Sequence, residues 1–148
     1  MKFKLLNADK QKTFALIMDA GDEVGACITA FAKQQNLSAA QFTGIGAFSS
    51  ATLGFFDLSR KDYKRIRITE QTEVLSLIGD ISLYQNVPKM HAHVVLGKED
   101  GTAHGGHLLE GITRPTVEII LTESPAYLRR EIDPTVAIPL IKLDAPDR

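Results

Sequence analysis

Cysteine and tryptophan are nearly missing from this chain of 148 residues, which has one cysteine and no tryptophan. The single cysteine, Cys27, cannot form an internal disulfide, so we expect a reducing compartment, the cytoplasm. The N-terminus, MKFKLLNADKQK, has no long apolar run and does not resemble a signal peptide. No apolar segment approaches the roughly 18 residues that a membrane span needs. These absences predict a soluble cytoplasmic protein without a membrane partner.

An excess of charge of one sign is also missing. Seventeen basic residues face 18 acidic ones, which gives a net charge of −1 and a pI near 6.4. That balance provides no overall field to attract nucleic acid or an anionic membrane. The hydrophobic fraction of 44% and the charged fraction of 24% are those of an ordinary globular protein. The length indicates a single domain over residues 1–148.

One long helix is predicted near the start of the chain. The apolar run FALIM, residues 14–18, reads as a buried strand. Asp22 can cap a helix over EVGACITAFAKQQN. The apolar positions of this segment follow the 3, 4, 7 spacing of one helix face: Val24, Cys27, Ile28 and Phe31. Cys27 is therefore assigned to the core, where a free cysteine packs as a small hydrophobe.

Strand-like segments dominate the rest of the sequence. QFTGIGAFSSATLGFFD indicates strands that bend at Gly44 and Gly46. Six further segments are separated by Gly, Pro, Asn or Asp: YKRIRITE, EVLSLIGDISLYQ, HAHVVLG, TVEIILTES, YLRREID and AIPLIKLD. A short helical turn near GGHLLEG is the only other helix expected. The pattern predicts an α+β fold with the early helix packed on a mainly antiparallel sheet.

All four histidines fall within 17 consecutive positions, and histidine tracts indicate metal sites. His91 and His93 are two apart on a predicted strand, so both imidazoles project from the same face. GKEDGT predicts a hairpin turn at Asp100-Gly101, and a bend at Gly105-Gly106 would then return His107 to them. With only one distant cysteine, a closed cysteine-rich zinc site is excluded. The spacing favours Zn²⁺ or another transition metal over four surface histidines.

Charged residues near this segment are candidates for a supporting role. Glu118 lies in the apolar strand RPTVEIIL, where it would orient a ligand imidazole, act as general base, or occupy an exposed position opposite a cation. Arg114 could attract a carboxylate or phosphate, although a surface salt bridge is favoured. At most one of Arg129 and Arg130 can face the site, because neighbouring strand residues point opposite ways. Asp80 is expected to close a turn.

The segment PKMHAHVVLGKEDGTAHGGHLLEGITRPTVEIILTE resembles the Plants and Prokaryotes Conserved (PPC, DUF296) domain. The shared pattern is a His-x-His strand, an Asp-Gly turn, a Gly-Gly-His segment and a Thr-x-Glu strand, and the similarity extends over most of the chain. The resemblance implies a compact α+β homotrimer with a zinc site at His91, His93 and His107. It also favours Glu118 as a site residue and leaves His104 outside the pattern.

Two functions of different classes follow from this sequence. One is a zinc-dependent enzyme or small-molecule-binding protein, with Glu118 as proton acceptor. The other is a DNA-binding or regulatory protein in which the histidines are structural. Plant members of the family carry a separate Arg-Gly-Arg-Pro element for the DNA minor groove, and these 148 residues contain none. That absence and the near-zero net charge favour the metal-dependent function.

Overall fold

A computed structural model describes residues 1–7, 11–124 and 128–143 of the chain. Within these ranges one helix, α1, spans Val24–Gln34. The described residues form nine strands: β1 Lys2–Asn7, β2 Thr13–Met18, β3 Ala39–Asp57, β4 Asp62–Ile68, β5 Thr72–Tyr84, β6 Val87–Gly97, β7 Ala103–Glu123, β8 Arg129–Ile132 and β9 Pro139–Lys142. The predicted α+β fold with a mainly antiparallel sheet is confirmed, because every strand pair except β5–β8 is antiparallel.

The helix is shorter than the long helix predicted from the sequence. It has 11 residues, because Glu23 is its N-cap with an extended backbone and Gln35 is its C-cap. The Glu23 carboxylate accepts hydrogen bonds from the backbone N–H groups of Gly25 (3.1 Å) and Ala26 (2.6 Å). Asp22, the predicted cap, instead pairs with the N-terminal ammonium group at 2.7 Å.

Four long strands form a closed circuit of pairings. β3 pairs with β5, β5 with β6, β6 with the start of β7, and the rest of β7 with β3. The register shifts between Gly44 and Gly46, where the sequence predicted a bend, and Gly46 has a φ of +150°. The predicted helical turn at GGHLLEG is wrong, since these residues pair with β6 and β3 as part of β7.

The core lies on the inner side of this curved sheet, where α1 packs. Val24, Ile28 and Phe31 of the helix are buried, and the ring of Phe31 meets that of Phe14 edge to face, with centroids 5.1 Å apart. Cys27 is half-buried and packs against this core, as predicted. The inner side is thus filled with apolar side chains, and polar groups that can bind a ligand are left on the outer side and at the sheet edges.

Candidate metal centre

A single hairpin brings three histidines together. The turn between β6 and β7 is closed by Asp100, whose carboxylate accepts hydrogen bonds from the backbone N–H (2.9 Å) and the hydroxyl (2.6 Å) of Thr102. Gly101 has the positive φ (+81°) that the turn requires. The register places His93 directly opposite His107. His91 precedes His93 by two residues, so all three side chains project from the outer side of the sheet.

The three imidazoles form a compact triangle. Ring centroids are 5.2 Å apart for His91 and His93, 5.0 Å for His91 and His107, and 5.4 Å for His93 and His107. One nitrogen from each ring lies within 4.8 Å of the corresponding nitrogens of the other two. Tyr63 of β4, which the sequence did not indicate, stacks on His107 with centroids 4.8 Å apart.

His104 lies outside this group. It is exposed, and it stands three positions before His107, so its side chain projects from the opposite side of β7. The predicted bend at Gly105 and Gly106 is wrong, because both glycines pair in regular register with β6. Gly106 serves close packing instead, since a Cβ there would lie 3.0 Å from the Gly54 carbonyl oxygen.

The environment keeps two of the histidines neutral. Burial, and then the charges of His91, His93, Lys89 and Arg130, lowers the pKa of His107 to about 4. Burial and the charge of His91 also lower the pKa of His93. Because only a neutral imidazole can donate its lone pair to a metal ion, both rings are ready to act as ligands at neutral pH.

A carboxylate supports His91 from the neighbouring strand. Asp80 lies opposite His91 in the β5–β6 register, and its Oδ2 is 3.4 Å from His91 Nδ1. Asp80 was expected to close a turn, but it sits within β5, so that prediction is wrong. Burial opposes ionisation of Asp80, yet hydrogen bonds from His91 and Arg130 hold its pKa below the usual value. The carboxylate is therefore charged and accepts hydrogen bonds only.

Arg130 fixes this carboxylate in place. Its Nη2 donates to both oxygens of Asp80 (2.8 and 2.9 Å) and lies 3.3 Å from His91 Nδ1. Its Nε donates to Ser82 Oγ at 2.6 Å, and its Nη1 to the Pro139 carbonyl oxygen at 3.1 Å. Only 8% of Arg130 is exposed. Arg130 thus joins β5, β6, β8 and β9, and Arg129 points away and donates to Asn86.

The structure does not bring Glu118 or Arg114 to the three histidines. Glu118 is exposed and pairs with Ile45 of β3. β3 and β5 separate it from β6, and three strand spacings amount to roughly 14 Å. Arg114 is exposed at the cis bond to Pro115. Neither residue belongs to the group of side chains whose donor atoms lie within 4.8 Å of one another.

The donor set fits a transition metal ion. Three nitrogen donors suit zinc and its neighbours in the first transition row. His107 Nδ1 is buried without a hydrogen-bond partner, and a metal ion bound there would satisfy it. A tetrahedral ion spaces its ligand nitrogens about 3.3 Å apart, so small ring rotations must close the observed separation.

Fold and site together define a class of protein: an α+β fold whose mainly antiparallel sheet carries three histidines on one hairpin. The chain belongs to the Plants and Prokaryotes Conserved domain family, whose sequence profile matches residues 6–125. The family resemblance of the sequence is thereby confirmed. No curated protein shows significant sequence similarity to the chain.

Solved structures agree with this assignment. A plant- and prokaryote-conserved protein from Pyrococcus horikoshii is 32% identical, with a TM-score of 0.83 over 97% of this chain and 96% of that one. A metal-containing protein from Archaeoglobus fulgidus is 30% identical, with a TM-score of 0.83 over 95% and 96% of the two chains. A candidate DNA-binding protein from Ralstonia eutropha is 29% identical, with a TM-score of 0.82 over 88% and 90%.

The helix content bears on membrane association. Within the described ranges, no helix has the length and apolar character that crossing a bilayer requires.

Proposed function

We propose that His91, His93 and His107 bind one divalent transition metal ion, with zinc as first choice, in a protein that binds or converts a small molecule. The observation that carries this proposal is the triangle of neutral imidazoles, with His107 Nδ1 buried and unpaired. The metal-containing relative from Archaeoglobus fulgidus supports it. When bound, such an ion acts as a Lewis acid toward an oxygen of the ligand.

The protein's own residues have distinct tasks in this proposal. His91, His93 and His107 supply lone pairs and leave a coordination position open, as three-ligand zinc sites do. Asp80, held by Arg130, accepts a hydrogen bond from the His91 Nδ1–H group and so leaves the Nε2 lone pair free to bind. Tyr63 covers one face of the His107 ring and limits the access of water.

Metal analysis of three purified proteins tests the proposal. The wild-type protein should hold about one zinc ion per chain after reconstitution. His93→Ala should lose it, because two imidazoles bind zinc far more weakly than three, whereas His104→Ala should retain it because His104 projects from the other side of β7. Absence of zinc from the reconstituted wild-type protein would overturn the proposal. Loss of zinc in His104→Ala alone would show that the ligands are wrongly assigned.

A second candidate is a DNA-binding or regulatory protein in which the histidines are structural. The candidate DNA-binding relative from Ralstonia eutropha favours it, as do the exposed basic residues of β4: Lys64, Arg65 and Arg67. Duplex binding that weakens steeply with salt would support this function, because phosphate neutralisation releases counterions. The net charge of −1 makes it the weaker candidate.

We also propose that the protein is a homotrimer in the cytoplasm. Beside the histidines, the outer side of the sheet exposes large apolar side chains in one region, each 48–61% accessible: Ile45, Leu75, Ile78 and Ile120. Exposed apolar patches of this kind favour association. Glu118 lies among these residues. Its predicted role as a proton acceptor therefore depends on a neighbouring copy, and we retain it only in that form.

A further inference from the structure

A cleft opens beside the histidines where β6 and β7 separate. The two strands pair only between His93–Gly97 and Ala103–His107, and beyond His107 β7 pairs with β3 and, from Val117 to Thr122, with β2. No described strand pairs with the β7-facing edge of β6 between Val87 and Ala92. Helix α1 and the β8–β9 hairpin border the resulting cleft, which has a volume of about 840 Å³. That volume is in the range of small-molecule sites, roughly 300–1,000 Å³.

Part of the cleft lining, around the histidines, is polar and carries positive charge. His91, His107, Tyr63, Lys89 and Arg130 line it. The Arg130 charge is balanced by Asp80. Lys89 has no carboxylate partner among the described residues, and its ammonium group lies 5.1 Å from the centroid of the Tyr84 ring. Its charge is therefore available to a ligand.

Carboxylates that could balance a metal ion in this part of the cleft are already engaged. Glu23, which also lines the cleft, accepts backbone hydrogen bonds from Gly25, Ala26 and Gly111. Asp80 is bound to Arg130. Three neutral imidazoles contribute no negative charge, so a bound divalent ion would keep its full charge beside Lys89. A ligand at the open coordination position would have to supply the negative charge.

Much of the remaining lining is apolar, although the α1 wall also carries Glu23, Thr29 and Lys33. Met90 and Leu109 lie on the strands, and Pro139 and Leu140 lie on the β8–β9 hairpin. Leu140 is 36% exposed, which leaves part of its side chain open to a ligand. An ion-sized anion would leave this surface in contact with water, so the ligand that suits the cleft has an apolar body.

We propose that this cleft binds a small organic carboxylate, with the acid group at the metal ion and Lys89 and the apolar body along Met90 and Leu140. The proposal rests on the metal site proposed above. It extends that site to a class of ligand: monocarboxylic acids with a short hydrocarbon chain.

Cobalt-loaded protein allows each part to be tested, because the visible spectrum of Co²⁺ responds to a ligand entering its coordination sphere. Titration with hexanoate should change the spectrum, and hexanol at the same concentration should not. Each methylene that becomes buried should tighten binding about three- to fourfold, so hexanoate should bind at least tenfold more tightly than acetate. Metal-free protein should bind hexanoate weakly or not at all.

Two pairs of variants separate the charge from the apolar wall. Lys89→Ala should weaken hexanoate binding about two- to fivefold, whereas Lys64→Ala, on a strand residue outside the cleft, should not. Leu140→Asn should remove part of the advantage of hexanoate over acetate. Ile141→Asn, equally 36% exposed but not lining the cleft, should preserve it. Cobalt affinity should be the same in all four variants.

The outcomes distinguish this inference from the metal site itself. A protein that binds no cobalt overturns both. A protein that binds cobalt but whose spectrum is unchanged by hexanoate overturns the organic acid alone. Equal affinity for acetate, hexanoate and inorganic phosphate would show that any anion reaches the metal and would overturn the role of the apolar wall.

Discussion

Replacing Asp80 by asparagine tests how far the site depends on residues beyond its metal ligands. The substitution preserves size and one acceptor oxygen but removes the negative charge. The asparagine amide group can donate a hydrogen bond to His91 Nδ1, which favours the tautomer with the proton on Nε2. That tautomer cannot offer Nε2 to a metal ion. Loss of such a supporting hydrogen bond typically costs 10- to 100-fold in metal affinity, about 1.4–2.7 kcal/mol.

The variant should remain folded. The Arg130 side chain is only 7% exposed, and complete loss of its partner would destabilise by about 3–5 kcal/mol. Asparagine still presents one oxygen to Nη2, and Ser82 and Pro139 still accept from Arg130. We therefore expect a loss of about 1–3 kcal/mol, which is less than the usual stability of a domain, about 5–15 kcal/mol. Metal affinity can then be measured on native protein.

Competition for zinc with a chromophoric chelator measures the affinity, and long-range ¹H–¹⁵N NMR of the metal-free protein reports the His91 tautomer. Wild type should show the Nδ1–H form, and Asp80→Asn should shift it toward Nε2–H. Glu73→Gln is the matched control, because Glu73 is an exposed carboxylate on the same strand that forms no ion pair with any described residue. Wild-type zinc affinity in Asp80→Asn would refute the reasoning.

Three further predictions concern stability and assembly. In metal-free protein the free energy of unfolding should fall as the pH drops from about 6.5 to 4. In this pH range a histidine in the unfolded chain takes up a proton, whereas His107 in the folded protein does not. A urea midpoint that does not change with pH would contradict this. Gly79→Ala should lower the free energy of unfolding, measured with urea, by about 1–3 kcal/mol, because the added Cβ would lie 2.4 Å from Phe42 Cζ. Gly105→Ala should lower it less, because its Cβ would lie 3.4 Å from the nearest atom. Light scattering should give three times the 16.2 kDa of one chain for wild type and a lower mass for Ile120→Glu; a wild-type mass near 16.2 kDa would exclude the trimer.

Local patterns were enough to predict that the three histidines meet, although Gly105 and Gly106 lie in regular strand pairing and do not form the predicted bend. Strand alternation predicted that His91 and His93 lie on one side, and the Asp100-Gly101 pair predicted the hairpin turn. Both signals lie within a few residues of the groups they position. The error at GGHLLEG has a local origin too, since glycines and leucines carry no β-branched signal. Pairing with β6 and β3 on its two sides decides its conformation instead.

The supporting groups could not be found in this way. Asp80 reaches His91 only through the β5–β6 register, and Arg130 reaches Asp80 only through the short parallel pairing of β5 with β8. Neither of these two strand pairings produces a sequence pattern that can be recognised within β5, β6 or β8 alone. Glu118 is a different case. This charged residue in an apolar strand was predicted to be part of the site, but it lies in the part of β7 that pairs with β3 and β2 and not with β6.

The three histidines come from one hairpin, whereas the residues that support them, Asp80 and Arg130, come from other strands. The proposed ligands come from one hairpin, so the triangle of imidazoles needs only the β6–β7 turn and register to form. The hydrogen bond that sets the His91 tautomer needs β5, and the arginine that holds its acceptor needs β8 and the Pro139 carbonyl of β9. A change in the β8–β9 hairpin would therefore alter the metal site through Arg130 and Asp80, without any change in the three metal ligands.

Pro139 and Leu140 of the same hairpin also border the cleft, so a molecule that occupies the cleft contacts the hairpin that holds Arg130. We therefore expect ligand binding in the cleft and metal binding at the histidines to strengthen each other. Both favour the same arrangement of the β8–β9 hairpin, and thermodynamic linkage makes such a coupling reciprocal.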